Sequence, residues 1–95
     1  MENLKVMFKN LSETQNINIE AQKDFILFYR SSFEIKVFTS ENNEANIFCR
    51  WKMGFLGFLF NKKELKNMNE IKRRIVQILE KQNFVVNEIQ SININ

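Results

Sequence analysis

The sequence has no proline and no histidine, only two glycines and a single cysteine. Histidine is the commonest general base near neutral pH and the commonest metal ligand, so its absence argues against most acid–base and metal chemistry. One cysteine cannot form an intramolecular disulfide, so the fold does not depend on an oxidising compartment. Cys49 alternates with core residues and has no histidine to activate it. We therefore expect no enzyme, no cofactor and no metal site.

The chain also lacks a long apolar run. Its 95 residues suffice for one small domain, which we expect to cover residues 1–95. The longest apolar stretch is about ten residues, roughly half of what spans a bilayer. The first residues show no secretory pattern of positive charge followed by an apolar segment. We expect a cytoplasmic protein without integral membrane association.

Charge is unevenly distributed along the chain. Residues 1–48 carry five Lys and Arg against seven Asp and Glu, whereas residues 49–95 carry nine against four. The net charge of +3 therefore comes from the second half. If a polyanion or an acidic protein is the partner, we expect it to bind to that half of the chain.

Alternation of apolar and polar residues predicts strands in the first half. Leu4 to Lys9 alternates and is interpreted as a half-buried strand. Ile17 and Ile19 alternate with polar residues, and Phe25 to Tyr29 is apolar on both faces, as in a central strand. A helix from Glu20 to Ser31 is the alternative for that last segment.

The clearest predicted element is a hairpin. Phe33 to Phe38 and Ala45 to Lys52 both alternate, and they are joined through Asn42-Asn43, because asparagine tolerates the positive φ of a tight turn. Opposite residues of an antiparallel pair share a face, so Phe38 is expected to meet Phe48, and Glu34 to meet Arg50 or Lys52. Both phenylalanines lie on the more polar face, where a second layer or a partner chain is expected to cover them.

From Glu64 to Gln82 the apolar period becomes helical. The predicted stripe consists of Leu65, Met68, Ile71, Ile75, Ile78 and Leu79. Phe84 to Val86 predicts a short last strand, and Ser91 to Asn95 a fraying tail. The predicted fold is α+β and two-layered: an antiparallel meander of five or six strands with one long C-terminal amphipathic helix packed on one face.

The segment from Trp51 to Phe60 holds both glycines and the only tryptophan. One interpretation is a bent core strand in which Gly54 and Gly57 form bulges. The other is an exposed apolar patch, which marks a contact site. The first is favoured because apolar residues are usually inside a protein. The second is supported by arithmetic, because a small sheet and one helix already have many apolar side chains to bury.

These patterns predict a macromolecule-binding protein: a stoichiometric regulator, inhibitor or adaptor that contacts another protein and forms a homodimer. Small inhibitors and immunity proteins, often encoded by phages or other mobile elements, have this character. The predicted contact residues are aromatic and aliphatic anchors with a charged rim. The anchors are Phe55, Leu56, Phe58 and Phe60, and the rim is Lys62, Lys63 and Lys66.

Two further functions fit the sequence less well. The first is nucleic-acid binding through basic residues, where lysines meet phosphates and aromatic rings stack on bases. Its candidate residues are Arg50, Lys52, Lys66, Arg73, Arg74 and Lys81. The second is association with a membrane surface, in which the apolar run inserts and the neighbouring lysines meet anionic headgroups.

Overall fold

The fold centres on one five-stranded sheet in which the strands lie in sequence order. The computed structural model describes residues 2–90, and the side chains of residues 4–89. The elements are α1 (Glu2–Gln15), β1 (Asn18–Ala21), β2 (Ile26–Tyr29), β3 (Phe33–Thr39), β4 (Glu44–Trp51), α2 (Gly54–Phe60), α3 (Lys62–Lys81) and β5 (Val85–Gln90). The predicted α+β class is confirmed. The predicted tail from Ser91 to Asn95 lies outside the described residues.

The first four strands form the predicted antiparallel meander, and β5 departs from it. β5 follows the long helix α3 and pairs in parallel with β4. A parallel pair needs such a crossover, because the chain must return to the end of the sheet where the neighbouring strand began. The predicted last strand exists, and it runs from Val85 to Gln90.

The β3–β4 hairpin confirms the predicted pairing. Glu34 is the partner of Arg50 in the register, and their side chains form an ion pair at 3.3 Å. The rings of Phe38 and Phe48 lie edge to face with their centroids 5.4 Å apart. In the turn, Asn43 adopts a φ of 59°. Asparagine therefore supplies the left-handed residue that a hairpin turn needs.

The core lies on one side of the sheet, under α3 and α1. The apolar stripe of α3 buries Met68, Ile71, Ile75 and Leu79, so the predicted helix is confirmed with bounds shifted by one or two residues. The sheet contributes a matching buried face from alternate residues of β2, β3 and β4: Phe28, Phe33, Ile35, Val37, Ala45, Ile47, Cys49 and Trp51. Burial of these two surfaces against each other supplies most of the stabilisation.

The N-terminal segment corrects one prediction. Leu4 to Lys9 is not a strand but part of helix α1. Leu4, Phe8 and Leu11 fall at helical spacing and are buried, whereas Val6 is 58% exposed. The ring of Phe8 meets Phe28 of β2 edge to face with their centroids 4.9 Å apart. The alternation over six residues was coincidental, and α1 packs beside α3 and β1 on the core side.

Two helices end on a left-handed asparagine, where many proteins use glycine. Asn16 follows α1 with a φ of 53°, and Asn83 follows α3 with a φ of 67°. At each end, the backbone N–H of the residue after the asparagine donates to the carbonyl of the residue five positions before the donor. These hydrogen bonds join Ile17 to Ser12 at 3.1 Å and Phe84 to Leu79 at 3.1 Å. These asparagines and hydrogen bonds end the two helices and turn the chain back toward the sheet. Asparagine thus takes the place of glycine, which is scarce in this sequence.

Candidate docking surface

Residues 54–60 form the short helix α2, so the expected bent strand with glycine bulges is wrong. Gly54 adopts a φ of 71° at the turn into the helix, a conformation that costs a side-chain-bearing residue free energy. A Cβ on Gly57 would collide with the Cβ of Met53 and lie 4.0 Å from the indole Nε1 of Trp51. Both glycines therefore allow the chain to turn sharply after β4 and the helix to lie close to it.

Trp51, the residue before this turn, belongs to the core rather than to the surface. It ends β4 and is 1% exposed. Within the described part of the chain, its indole Nε1 has no hydrogen-bond partner. Phe58 also points inward and packs against the core. The inward side of α2 is thus formed by Gly54, Gly57 and Phe58.

The outward side of α2 is apolar and exposed. Phe60 is 82% exposed, Leu56 67%, Phe55 55% and Leu59 42%, and Met53 just before the helix is 45% exposed. We call these five residues the α2 surface. The sequence predicted Phe55, Leu56 and Phe60 among the anchors, and the structure brings them together. It adds Met53 and Leu59 and turns the fourth predicted anchor, Phe58, inward.

Four lysines flank the α2 surface along the chain. Lys52 precedes α2, and Lys62, Lys63 and Lys66 lie in the first two turns of α3; all four are exposed. Among residues 4–89, none of them forms an ion pair. We call these four residues the lysine collar. The collar includes the three predicted rim residues and places uncompensated positive charge beside exposed apolar groups.

Glu64 is the one acidic residue between Lys52 and Lys66, and it turns away from the collar. Its carboxylate accepts hydrogen bonds from Arg30 Nη1 at 2.9 Å, Ser32 Oγ at 2.5 Å and Asn67 Nδ2 at 3.1 Å. Burial raises the pKa of Glu64, but the hydrogen bonds from Ser32 and Asn67 and the charge of Arg30 outweigh it, so the pKa lies below its ordinary value. Glu64 is therefore charged but already paired, and the collar keeps its net positive charge.

The basic residues predicted for nucleic-acid binding do not form one surface. Arg50 lies on the sheet face opposite the helices and pairs with Glu34. On α3, Arg73 and Arg74 both pair with Glu70, at 2.5 Å and 3.2 Å. Lys52 and Lys66 belong to the collar, and Lys81 is exposed in the last turn of α3. Three of the six residues are paired with glutamates and Arg50 lies apart from the others, so the potential of the set for attracting a polyanion is weak.

The open face of the sheet carries a small aromatic cluster. The ring of Phe38 lies 5.0 Å from that of Phe25 and 5.4 Å from that of Phe48, and Lys36 Nζ lies 5.2 Å from the Phe25 centroid. The rings shield one another and are only half-exposed. No second layer covers them within residues 2–90. The expectation that a partner chain covers this face stays a prediction.

The chemistry of the remaining groups is sparse. Cys49 is buried, and burial raises the pKa of its thiol to about 11, so little reactive thiolate forms near neutral pH. No group of three or more potential ligands among histidine, cysteine and acidic residues comes together in the described part of the chain. An open groove of about 300 Å³ lies between α1 and α3 and is lined in part by Met7, Arg74 and Lys81.

Comparisons of this chain with protein-family models, with curated proteins and with solved structures found no match. Within residues 2–90, no helix combines the length and the apolar character needed to cross a membrane.

Proposed function

We propose that this chain is a binding protein without catalytic chemistry, a regulator, inhibitor or adaptor, that docks on a larger target through the α2 surface. The supporting observation is the exposure of four large apolar side chains on one two-turn helix, from 42% at Leu59 to 82% at Phe60. Monomeric proteins rarely expose contiguous apolar patches of this kind unless a partner covers them.

The packing of α2 favours this function over an incomplete core. Its inward side is already occupied by Gly57 and Phe58, and Phe58 contacts the core. The outward residues therefore cannot turn inward without displacing Phe58. Leaving Leu56 and Phe60 in water has a free-energy cost, since burying such a side chain is worth about 1.5–3 kcal/mol. Docking on a target would recover part of that free energy.

A protein target is the expectation from the sequence, and a groove that accepts an apolar helix would contact the same side chains. The cytoplasmic location and the homodimeric state also stay predictions. The dimer is testable by light scattering on the purified chain. The basic residues do not support a second function, since Arg50, Arg73 and Arg74 are paired with glutamates.

Photo-crosslinking in the cells that make the protein tests this function. A photoreactive amino acid at Leu56 is compared with one at Val6, a residue of α1 with similar exposure at 67% and 58% respectively. We expect a covalent adduct with a second molecule from position 56 and little from position 6. Equal or absent adducts at both positions would contradict a docking role for α2.

A further inference from the structure

We propose that the target of the α2 surface is the anionic face of a lipid bilayer. This inference rests on the proposed docking function and names its partner. At about 100° per residue, Phe55, Leu59, Leu56 and Phe60 occupy a continuous arc of about 140° around α2. The arc faces solvent, and the opposite side of the helix packs on the protein. Such a helix can lie in the plane of a bilayer with its outer side in the acyl boundary.

The composition of α2 fits lipid better than a protein groove. Its sequence from Gly54 to Phe60 contains only glycine, phenylalanine and leucine, so no side chain on it can donate or accept a hydrogen bond. Protein interfaces usually carry about one hydrogen bond per 100–200 Å², and their most important residues are enriched in tryptophan, tyrosine and arginine. An acyl chain boundary demands no such bonds.

The lysine collar gives the complementary charge. All four of its cations are lysines, which are depleted at protein interfaces, whereas arginine is enriched there. Lys62, Lys63 and Lys66 occupy an arc of about 100° at the start of α3, directly after the apolar helix. Anionic headgroups attract such clusters, and each lysine near the surface strengthens binding by about five-fold. The pairing of Glu64 with Arg30 and Ser32 keeps a carboxylate out of this arc.

A second copy of the chain fits the same surface less well. A two-fold interface uses the same patch on both subunits, so two α2 surfaces in contact would bring two lysine collars together. The like charges would repel. The one carboxylate between Lys52 and Lys66, that of Glu64, is already paired with Arg30 and so would not reduce this repulsion. The charge pattern therefore selects an anionic partner rather than another copy.

The length of α2 makes the association peripheral. Seven residues of helix extend about 10 Å, whereas about 20 apolar residues are needed to cross the hydrocarbon core. α2 would thus lie at the boundary, with the collar at the level of the headgroups. Because one shallow apolar element is combined with a few charges, the binding is expected to be reversible and sensitive to salt.

Co-sedimentation of the purified full chain with vesicles tests the inference. Vesicles of phosphatidylcholine are compared with vesicles that contain about 30% phosphatidylserine, at about 0.1 M and about 0.5 M salt. We expect at least about ten-fold tighter binding to the anionic vesicles, largely lost at the higher salt. Equal binding to both vesicles, or no binding to either, would overturn the inference.

Matched variants locate the contact. Leu56→Ser with Phe60→Ser is expected to weaken vesicle binding by more than about ten-fold, whereas Val6→Ser with Val85→Ser, which removes two exposed apolar groups elsewhere, should change it by less than about two-fold. Thermal unfolding of each variant verifies the fold. Equal losses in the two pairs would contradict a specific contact through α2.

A second pair of variants tests the charge. Lys62→Gln with Lys63→Gln should weaken binding by about 25-fold, and Lys5→Gln with Lys9→Gln on α1 by no more than about five-fold.

The failure of this inference is distinguishable from the failure of the docking function. A protein adduct from position 56 without vesicle binding would overturn the lipid target and leave the docking function in place, whereas no adduct and no vesicle binding would remove both.

Discussion

Arg30, just after β2, and Glu64, in the first turn of α3, form an ion pair with 2.9 Å between Nη1 and Oε1. Arg30 also donates through Nη2 to the carbonyl of Gln15 and through Nε to that of Asn16 at 3.2 Å, so it closes the end of α1 as well. One guanidinium thereby joins the ends of three elements. The same pair removes the acidic charge from the region of the lysine collar, which connects the stability of the fold to the electrostatics of the docking surface.

The ion pair predicts a specific dependence of stability on pH. The lowered pKa of Glu64 means that the unfolded chain takes up its proton first, so the stabilisation is present above the ordinary value of 4.5 and is lost as the pH falls through the folded pKa. Glu64→Gln should lower the free energy of unfolding by about 1–3 kcal/mol at neutral pH. Urea denaturation should show the two proteins converging in acid. A difference that persists unchanged as the pH falls far below 4.5 would contradict an electrostatic origin.

The close approach at Gly57 predicts a reversal of the usual effect of alanine. Replacing glycine by alanine within a helix normally stabilises it by about 0.5–1 kcal/mol. Here the new Cβ would meet the Cβ of Met53, so Gly57→Ala should lower the free energy of unfolding by about 1–3 kcal/mol. Urea denaturation measures this, and Asn69→Ala at an exposed position of α3 serves as a control that should be neutral or stabilising. A stabilising Gly57→Ala would show that α2 does not lie as described.

The exposure of the α2 surface predicts a separation of stability from binding. Leu56→Ser with Phe60→Ser should change the free energy of unfolding by less than about 0.5 kcal/mol, because both side chains are largely in water. Phe58→Ser should cost about 1–3 kcal/mol, since that ring packs on the core. Denaturant titration with each variant tests the contrast. Comparable losses would mean that the outer face of α2 belongs to the core.

The burial of Cys49 predicts a loss of stability in alkali. Its pKa is raised from 9.0 to about 11 chiefly by burial, so the unfolded chain loses the thiol proton first and stability falls as the pH rises from about 9 toward 11. Cys49→Ala should remove this part of the pH dependence and leave the rest unchanged. Parallel stability curves for the two proteins over that range would contradict the burial of the thiol.

The hairpin and α3 could be predicted from the sequence, because their apolar periods extend over enough residues to be unambiguous. α1 was mispredicted because the six residues from Leu4 to Lys9 are too few to distinguish a period of two from a helical period. The helical spacing becomes apparent only with the third buried residue, Leu11, which follows Leu4 and Phe8. The parallel pairing of β5 could not be predicted from alternation, since it depends on the crossover that α3 makes over the sheet.

The candidate site was predicted only in part, for a physical reason. Gly54 to Phe60 has no polar residue, so it has no hydrophobic period from which to distinguish helix from strand. The glycines suggested bulges, whereas Gly57 provides room for the close approach to Met53. The role of Glu64 was also missed, because its contacts with Arg30 and Ser32 join residues more than thirty positions apart.

We expect α2 to be exposed in the free chain and covered by a partner when the protein functions. The reactivity of a thiol introduced on α2 tests this most directly. The chain has one cysteine, and it is buried, so a thiol introduced by Leu56→Cys can be followed against a low background. We expect rapid labelling by a maleimide in the purified protein and labelling at least about ten-fold slower in intact cells, with Val6→Cys labelled rapidly in both. Slow labelling in the purified protein, or equally rapid labelling in cells, would contradict the account.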